Sequence, residues 1–134
     1  VSSKGLESKF QTVFKHWVQK YWNNGSAAFE LKRTTSDSIP VKNIAEHQLV
    51  ALNQAFDGTL YYKIPDTGYG QKPFDTVVLQ QSLAFLVIAF GKRLTDFYVI
   101  PITVWNEKTK GKTSVTKHAI EMWEDVEKIT IPKK

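Results

Sequence analysis

Glu30-Leu31-Lys32 is the first place in this sequence where residue types and spacing suggest chemistry. In an extended chain alternate side chains share a face, so the carboxylate of Glu30 and the ammonium of Lys32 point together. A carboxylate beside a lysine can bind a divalent cation and steady an attacking water or a phosphate. The same pair also reads as a solvated ion pair on a sheet face. Composition alone yields such a pair by chance, and Glu7-Ser8-Lys9 is a second one. The Glu30 copy stands out because Phe29 and Leu31 make the opposite face of its strand apolar.

Other residues could join it. Asp75, in Lys72-Pro73-Phe74-Asp75, opens a strand after a glycine-containing loop, where backbone can approach a metal or phosphate closely. Asp66, before Thr67-Gly68, competes with it, but turn chemistry also accounts for an aspartate there. We favour Asp75, because a hairpin strand can set it beside Glu30. In Glu46-His47-Gln48, His47 is either a phosphate contact or acid–base group, or a partly buried, hydrogen-bonded histidine. Gln48 suits ordering water or backbone near the site. Glu7 is either an outer metal ligand or a carboxylate favouring the positive end of the first helix. There is no Ser-His-Asp pattern and no glycine-rich Walker loop, and His16, His47 and His118 lack helical ligand spacing.

These residues need elements to position them. Leu6, Phe10, Val13, Phe14, Trp17, Val18 and Tyr21 recur at spacings of three and four, predicting an amphipathic helix over 6–22. Ser2 or Ser3 suits its cap, and Gly25 its end. Residues 27–33 read as a strand, 34–38 as a polar link, and 43–56 as a second helix after Pro40. Strands are predicted over 59–64 and 74–79, separated by a loop rich in glycine and proline. The continuous apolar run 83–90 reads as a strand buried on both faces. A turn at Gly91-Lys92-Arg93 leads to a strand over 96–105, then a basic loop over 106–112. A last helix is expected over 114–127, with Val115, Ala119, Met122 and Val126 inward, and a short edge strand over 129–131. The order implies a single α/β domain over 1–134, with a mixed central sheet flanked by helices.

Composition narrows the function classes. The longest apolar run is eight residues, whereas a membrane-spanning helix needs about 20. Four Trp, five Tyr and eight Phe can build a real core, which argues against disorder. The absence of cysteine excludes a disulfide framework and a Cys-based zinc site. The segment 1–6 lacks an apolar signal core. Eighteen basic against thirteen acidic residues give a net charge of +5, the balance of many small nucleic-acid binders. Lys108, Lys110, Lys112 and Lys117 form one basic stretch, and Lys92 and Arg93 another.

In order, Phe29-Glu30-Leu31-Lys32, Ile39-Pro40 and Glu46-His47-Gln48 resemble the PD-(D/E)XK nuclease superfamily, and within it the Holliday-junction resolvases of the RecU and archaeal Hjc type, phage-borne relatives included. The opening Ser3-Lys4-Gly5-Leu6-Glu7 is similar to the Lys-Gly-x-x-Glu start of the archaeal enzymes, one residue shorter. The resemblance covers about residues 3–105. Its motifs are short, and their order is what is specific. It implies a restriction-endonuclease-like core and a Mg²⁺-dependent DNA endonuclease, with Mn²⁺ substituting. Such an enzyme nicks four-way junctions in pairs as a homodimer in the cytoplasm. By resemblance Glu30 and Asp75 hold the metal with Glu7 completing its shell. Lys32 positions the attacking water, and Gln48 orients it. Lys4, Lys72, Lys92, Arg93, Lys110 and Lys112 would lie along branched or duplex DNA. One departure matters: the family's metal-binding aspartate lies upstream of Glu-x-Lys, yet no acidic residue occupies 23–29. With Asp75 downstream in that role, the site would be rearranged. Three alternatives stay open: a sequence-specific, restriction-like or general phage endonuclease, a non-catalytic DNA- or RNA-binding module, and a structural or inhibitory protein with Glu30 and Lys32 as a surface pair.

Overall fold

The computed structural model describes residues 3–66 and 72–132, with side chains of the first helix from Glu7 onward. Ser2 as a helix cap, the Lys4 side chain, Gly68 and Gly70 of the loop, and Lys133 and Lys134 lie outside the described residues. The chain runs α1 (Ser3–Tyr21), β1 (Ala27–Arg33), β2 (Ser38–Pro40), a 3-10 turn (Val41–Asn43), α2 (Glu46–Asp57), β3 (Thr59–Lys63) and β4 (Thr76–Gln80). It continues with β5 (Leu83–Ala89), β6 (Asp96–Pro101), α3 (Ile102–Lys108), β7 (Ser114–Thr116), α4 (Lys117–Met122) and β8 (Glu127–Thr130).

The central sheet has the order β1-β5-β6-β8 and is mixed. β1 runs parallel to β5 with Glu30 opposite Leu86, while β5–β6 and β6–β8 are antiparallel. The chain between β1 and β5 carries α2, which packs against both strands. β2–β7 and β3–β4 are two small antiparallel sheets of their own.

From Leu86 to Phe90 the apolar run is buried on both faces because helices cover both, while Leu83, at its start, is exposed. Leu86, Ile88, Tyr98 and Ile100 join Leu52, Ala55 and Trp105 in one cluster. Val87, Ala89, Phe97 and Val99 join Phe10 and Phe14 of α1 in the other. This is period-two alternation, with apolar residues required at every position. Phe14 meets Phe29 edge-on at 4.9 Å between ring centres, and Phe10 lies 5.7 Å from Phe97. Burial of each such ring stabilises by roughly 1.5–3 kcal/mol. The α1 face of β1 therefore belongs to Phe29 and Leu31, and Glu30 and Lys32 emerge on the α2 face.

Several elements differ from the sequence expectation. The strand expected over 96–105 ends at Pro101, and α3 begins with Ile102. Ile102 and Trp105, three apart, are both buried on one helical side, and this packing overrides the β preference of Ile-Thr-Val. The basic loop shrinks accordingly. It turns at Gly111, whose φ of +73° suits glycine. The helix expected over 114–127 is split. Ser114–Thr116 is β7, paired with β2, and Thr116 then caps the short α4 by accepting from the Ala119 N–H at 3.1 Å. Met122, expected inward, is exposed. The second helix starts at Glu46, because Ile44 and Ala45 are extended after the 3-10 turn. Part of the polar link is a strand, with Ile39 buried in it. The last strand is an edge strand as expected, over Glu127–Thr130.

Candidate active site

β1 presents Glu30 and Lys32 on one face, with Lys32 Nζ 3.6 Å from Glu30 Oε2. Both side chains are largely covered, at 26% and 19% exposure. The cover is α2. Gln48, in its first turn, donates from Nε2 to Glu30 Oε2 at 2.8 Å. Its Oε1 accepts from the Ala45 backbone N–H at 3.1 Å. A side-chain amide three residues into a helix commonly reaches back in this way to an unsatisfied N–H. Here the reach also turns the donor end of the amide onto the strand.

Burial pushes the Glu30 carboxyl above its usual range, and the charge of Glu7 adds to that push. Lys32, by charge and hydrogen bond, and His47, by charge, act the other way. Glu7, Lys32, His47 and Gln48 therefore all act on Glu30. A half-buried carboxyl held this way is the kind of group that active sites use.

A cavity of about 300 Å³ adjoins Glu30. Ala28, Ala51, Leu52 and Leu60 give it apolar walls, and Gln48 and Tyr62 line it too. Sequence reasoning misses Tyr62, although a signal exists: it lies two residues from Leu60 on β3, hence on the same strand face. A larger apolar groove of about 450 Å³ lies beside α1 and β8, but no carboxylate lines it.

Asp75 is held elsewhere. It sits just before β4, its carbonyl accepts from the Ile64 N–H at 2.8 Å, and its carboxylate meets Lys72 Nζ at 3.2 Å. Lys72 also pairs with Asp66, and both carboxylates are 83% exposed. The competing aspartates thus share one ammonium at the base of the β3–β4 hairpin, and Asp75 is not among the charges that act on Glu30. Lys72, expected along DNA, is committed to this clasp and to the Ile64 carbonyl at 3.3 Å.

The two basic turns converge on the chain just after β1. Thr34 N–H donates to the Ala89 carbonyl, and Arg33 Nη2 donates to the Lys92 carbonyl at 3.1 Å, tying the Lys92-Arg93 turn to the end of β1. Val41 N–H donates to the Thr113 carbonyl at 2.9 Å and Lys117 N–H to the Asp37 carbonyl at 2.7 Å, tying in the stretch that follows Lys110 and Lys112.

Among the described residues, no group of three or more His, Cys, Asp or Glu side chains converges to hold an ion. Mg²⁺ often takes only one or two carboxylates and completes its shell with water and substrate phosphate. On this face Glu30 is the half-buried carboxylate, and Glu7 is the other carboxylate whose charge acts on it.

Among the described residues, no helix is long and apolar enough to cross a membrane. No family model, no curated protein and no solved structure matches this chain.

Proposed function

We propose that this chain is a metal-dependent DNA endonuclease that resolves four-way junctions by paired nicks, as a homodimer acting inside the cell. The observation that carries this reading is the convergence of Lys32 and Gln48 on one half-buried carboxylate, Glu30. The basic turns support it, because Arg33 ties the Lys92-Arg93 turn to the end of the strand that carries Lys32, and clustered cations suit a phosphate backbone. The aromatic-flanked Glu-x-Lys strand, followed by a helix opening with Glu-His-Gln, supports the family assignment.

In this reading Glu30 would hold Mg²⁺ or Mn²⁺, with Glu7 as the outer carboxylate. When bound, the ion supplies Lewis-acid stabilisation of the oxygens around phosphorus and lowers the pKa of water. The chain's own groups do the rest. Gln48 fixes the Glu30 carboxylate, so that the site is set before substrate arrives. Lys32 holds the attacking water and neutralises charge that grows on the phosphoryl oxygens. The water oxygen bonds to phosphorus as its proton passes to solvent, the bond to the 3′ oxygen breaks, that oxygen takes up a proton from solvent, and each subunit cuts one strand. The two-fold symmetry of a homodimer suits a four-way substrate.

Cleavage of a labelled synthetic junction against a linear duplex of the same arms tests this reading. Symmetric nicks confined to the junction and to Mg²⁺ support it. Equal cutting of both substrates leaves an endonuclease without junction selectivity. Binding without any cutting favours a non-catalytic module.

A further inference from the structure

The cavity beside Glu30 continues away from Lys32, toward the start of β1. Ala28 lines it on one side of Glu30, whereas Lys32 lies on the other. Ala28, Ala51, Leu52 and Leu60 are apolar, and none of them can recognise a phosphate. At about 300 Å³ the space is at the small end of ligand sites. Tyr62 lines it and is 54% exposed, so its ring is open to a second flat partner. Tyr61, next to it, is 65% exposed on the opposite face of β3, away from the cavity.

We propose that this cavity takes one unstacked nucleobase, with Tyr62 as its stacking platform, while the adjoining phosphate lies at Glu30 and Lys32. The inference rests on the nucleic-acid reading above and deepens it. Every base has an apolar π-face that can stack on an aromatic ring, and polar edges that suit a rim such as Gln48 and His47. A base can enter only where it is unpaired, so the cavity selects single-stranded or branched substrate next to the cut. Tyr62 is thus a specificity-determining residue, and junction selectivity acquires a local cause within one subunit.

The test uses the wild-type chain in EDTA at low salt, so that nothing is cut. Fluorescence anisotropy compares a labelled oligothymidylate with a strand of equal length carrying abasic residues at its centre. The wild type binds the base-bearing strand more tightly, by roughly 5- to 100-fold. Tyr62→Ser loses that preference and keeps its affinity for the abasic strand. Tyr62→Phe retains the preference, and Tyr61→Ser behaves as wild type. Equal wild-type affinity for the two strands, or an unchanged preference in Tyr62→Ser, overturns the stacking site. A labelled four-way junction in Ca²⁺ tells the two failures apart: if the wild type binds the junction but shows no preference for bases, the stacking site alone is overturned, and if it binds neither strand nor the junction, the nucleic-acid reading falls as well.

Discussion

Gln48 Nε2 donates to Glu30 Oε2 at 2.8 Å while Gln48 Oε1 accepts from the Ala45 N–H at 3.1 Å. One amide thus closes the start of α2 and fixes the carboxylate of β1. The helix boundary and the site geometry are the same interaction. Gln48→Leu, of similar size, removes both hydrogen bonds. It is expected to cost about 2–4 kcal/mol of stability, one neutral and one charged hydrogen bond, and to lower the cleavage rate by up to roughly a hundredfold through a misplaced Glu30. Steady-state kinetics across a range of DNA concentrations checks this. The loss should appear in kcat, with little change in KM.

Glu30 sits in the fold at a cost. Its pKa is raised, first by burial. A carboxyl of this kind contributes stability that is fully present below the unfolded value of 4.5 and is lost as pH rises through the raised folded value. Glu30→Gln keeps the shape without the charge. At pH 7 it is expected to raise stability by about 0.5–2 kcal/mol, and the gain should disappear below the unfolded value. Urea unfolding of both proteins at neutral and acid pH measures this. A variant less stable than wild type at pH 7 would contradict the burial argument.

Tyr98 carries the opposite case. Its ring is buried, and its hydroxyl donates to Glu121 Oε2 at 2.7 Å, tying α4 to β6. That hydrogen bond, aided by Lys128 at 3.3 Å, holds the Glu121 carboxyl below its usual range, while the Tyr98 hydroxyl is pushed up by burial. Stability from Glu121 is therefore present above the unfolded value and is lost as pH falls through the lowered folded value. Tyr98→Phe should cost about 1 kcal/mol at pH 7, and less in acid. Thermal unfolding across that range reads both effects.

Lys92 and Arg93 lie on a turn that Arg33 ties to the end of β1. Removing both charges should weaken binding to all DNA sequences alike. The slope of log affinity against log salt should become shallower by about one for each phosphate that is no longer neutralised. An unchanged slope would place the DNA backbone elsewhere on the surface.

The sequence shows which groups share a strand face but not which distant segments meet. Glu30 and Lys32 follow from period-two alternation, and Gln48 from its place at the start of an amphipathic helix. The buried β5 is legible from its uninterrupted apolar run. Asp75 required the β3–β4 hairpin to fold over Glu30. The hairpin does reach the Glu30 cavity through Leu60 and Tyr62 of β3, but Asp75, at its base, pairs with Lys72, as Asp66 does. The split of the last helix turns on Thr116, whose side chain caps α4 while its backbone ends β7. Local preference is ambiguous at a β-branched cap, and pairing with Ser38–Pro40 decides it. Tyr62 reads locally as one of two adjacent strand tyrosines, and only packing against α2 tells the cavity-facing ring from the outward one.

Glu30 is the proposed hydrolytic carboxylate, and one comparison tests that role most directly. Wild type and Glu30→Gln are incubated with a labelled four-way junction in Mg²⁺, with binding measured separately in Ca²⁺. Paired nicks are expected from the wild type, no nicks from the variant, and junction affinity in both. A Glu30→Gln protein that cuts the junction at the wild-type rate would contradict the proposed role.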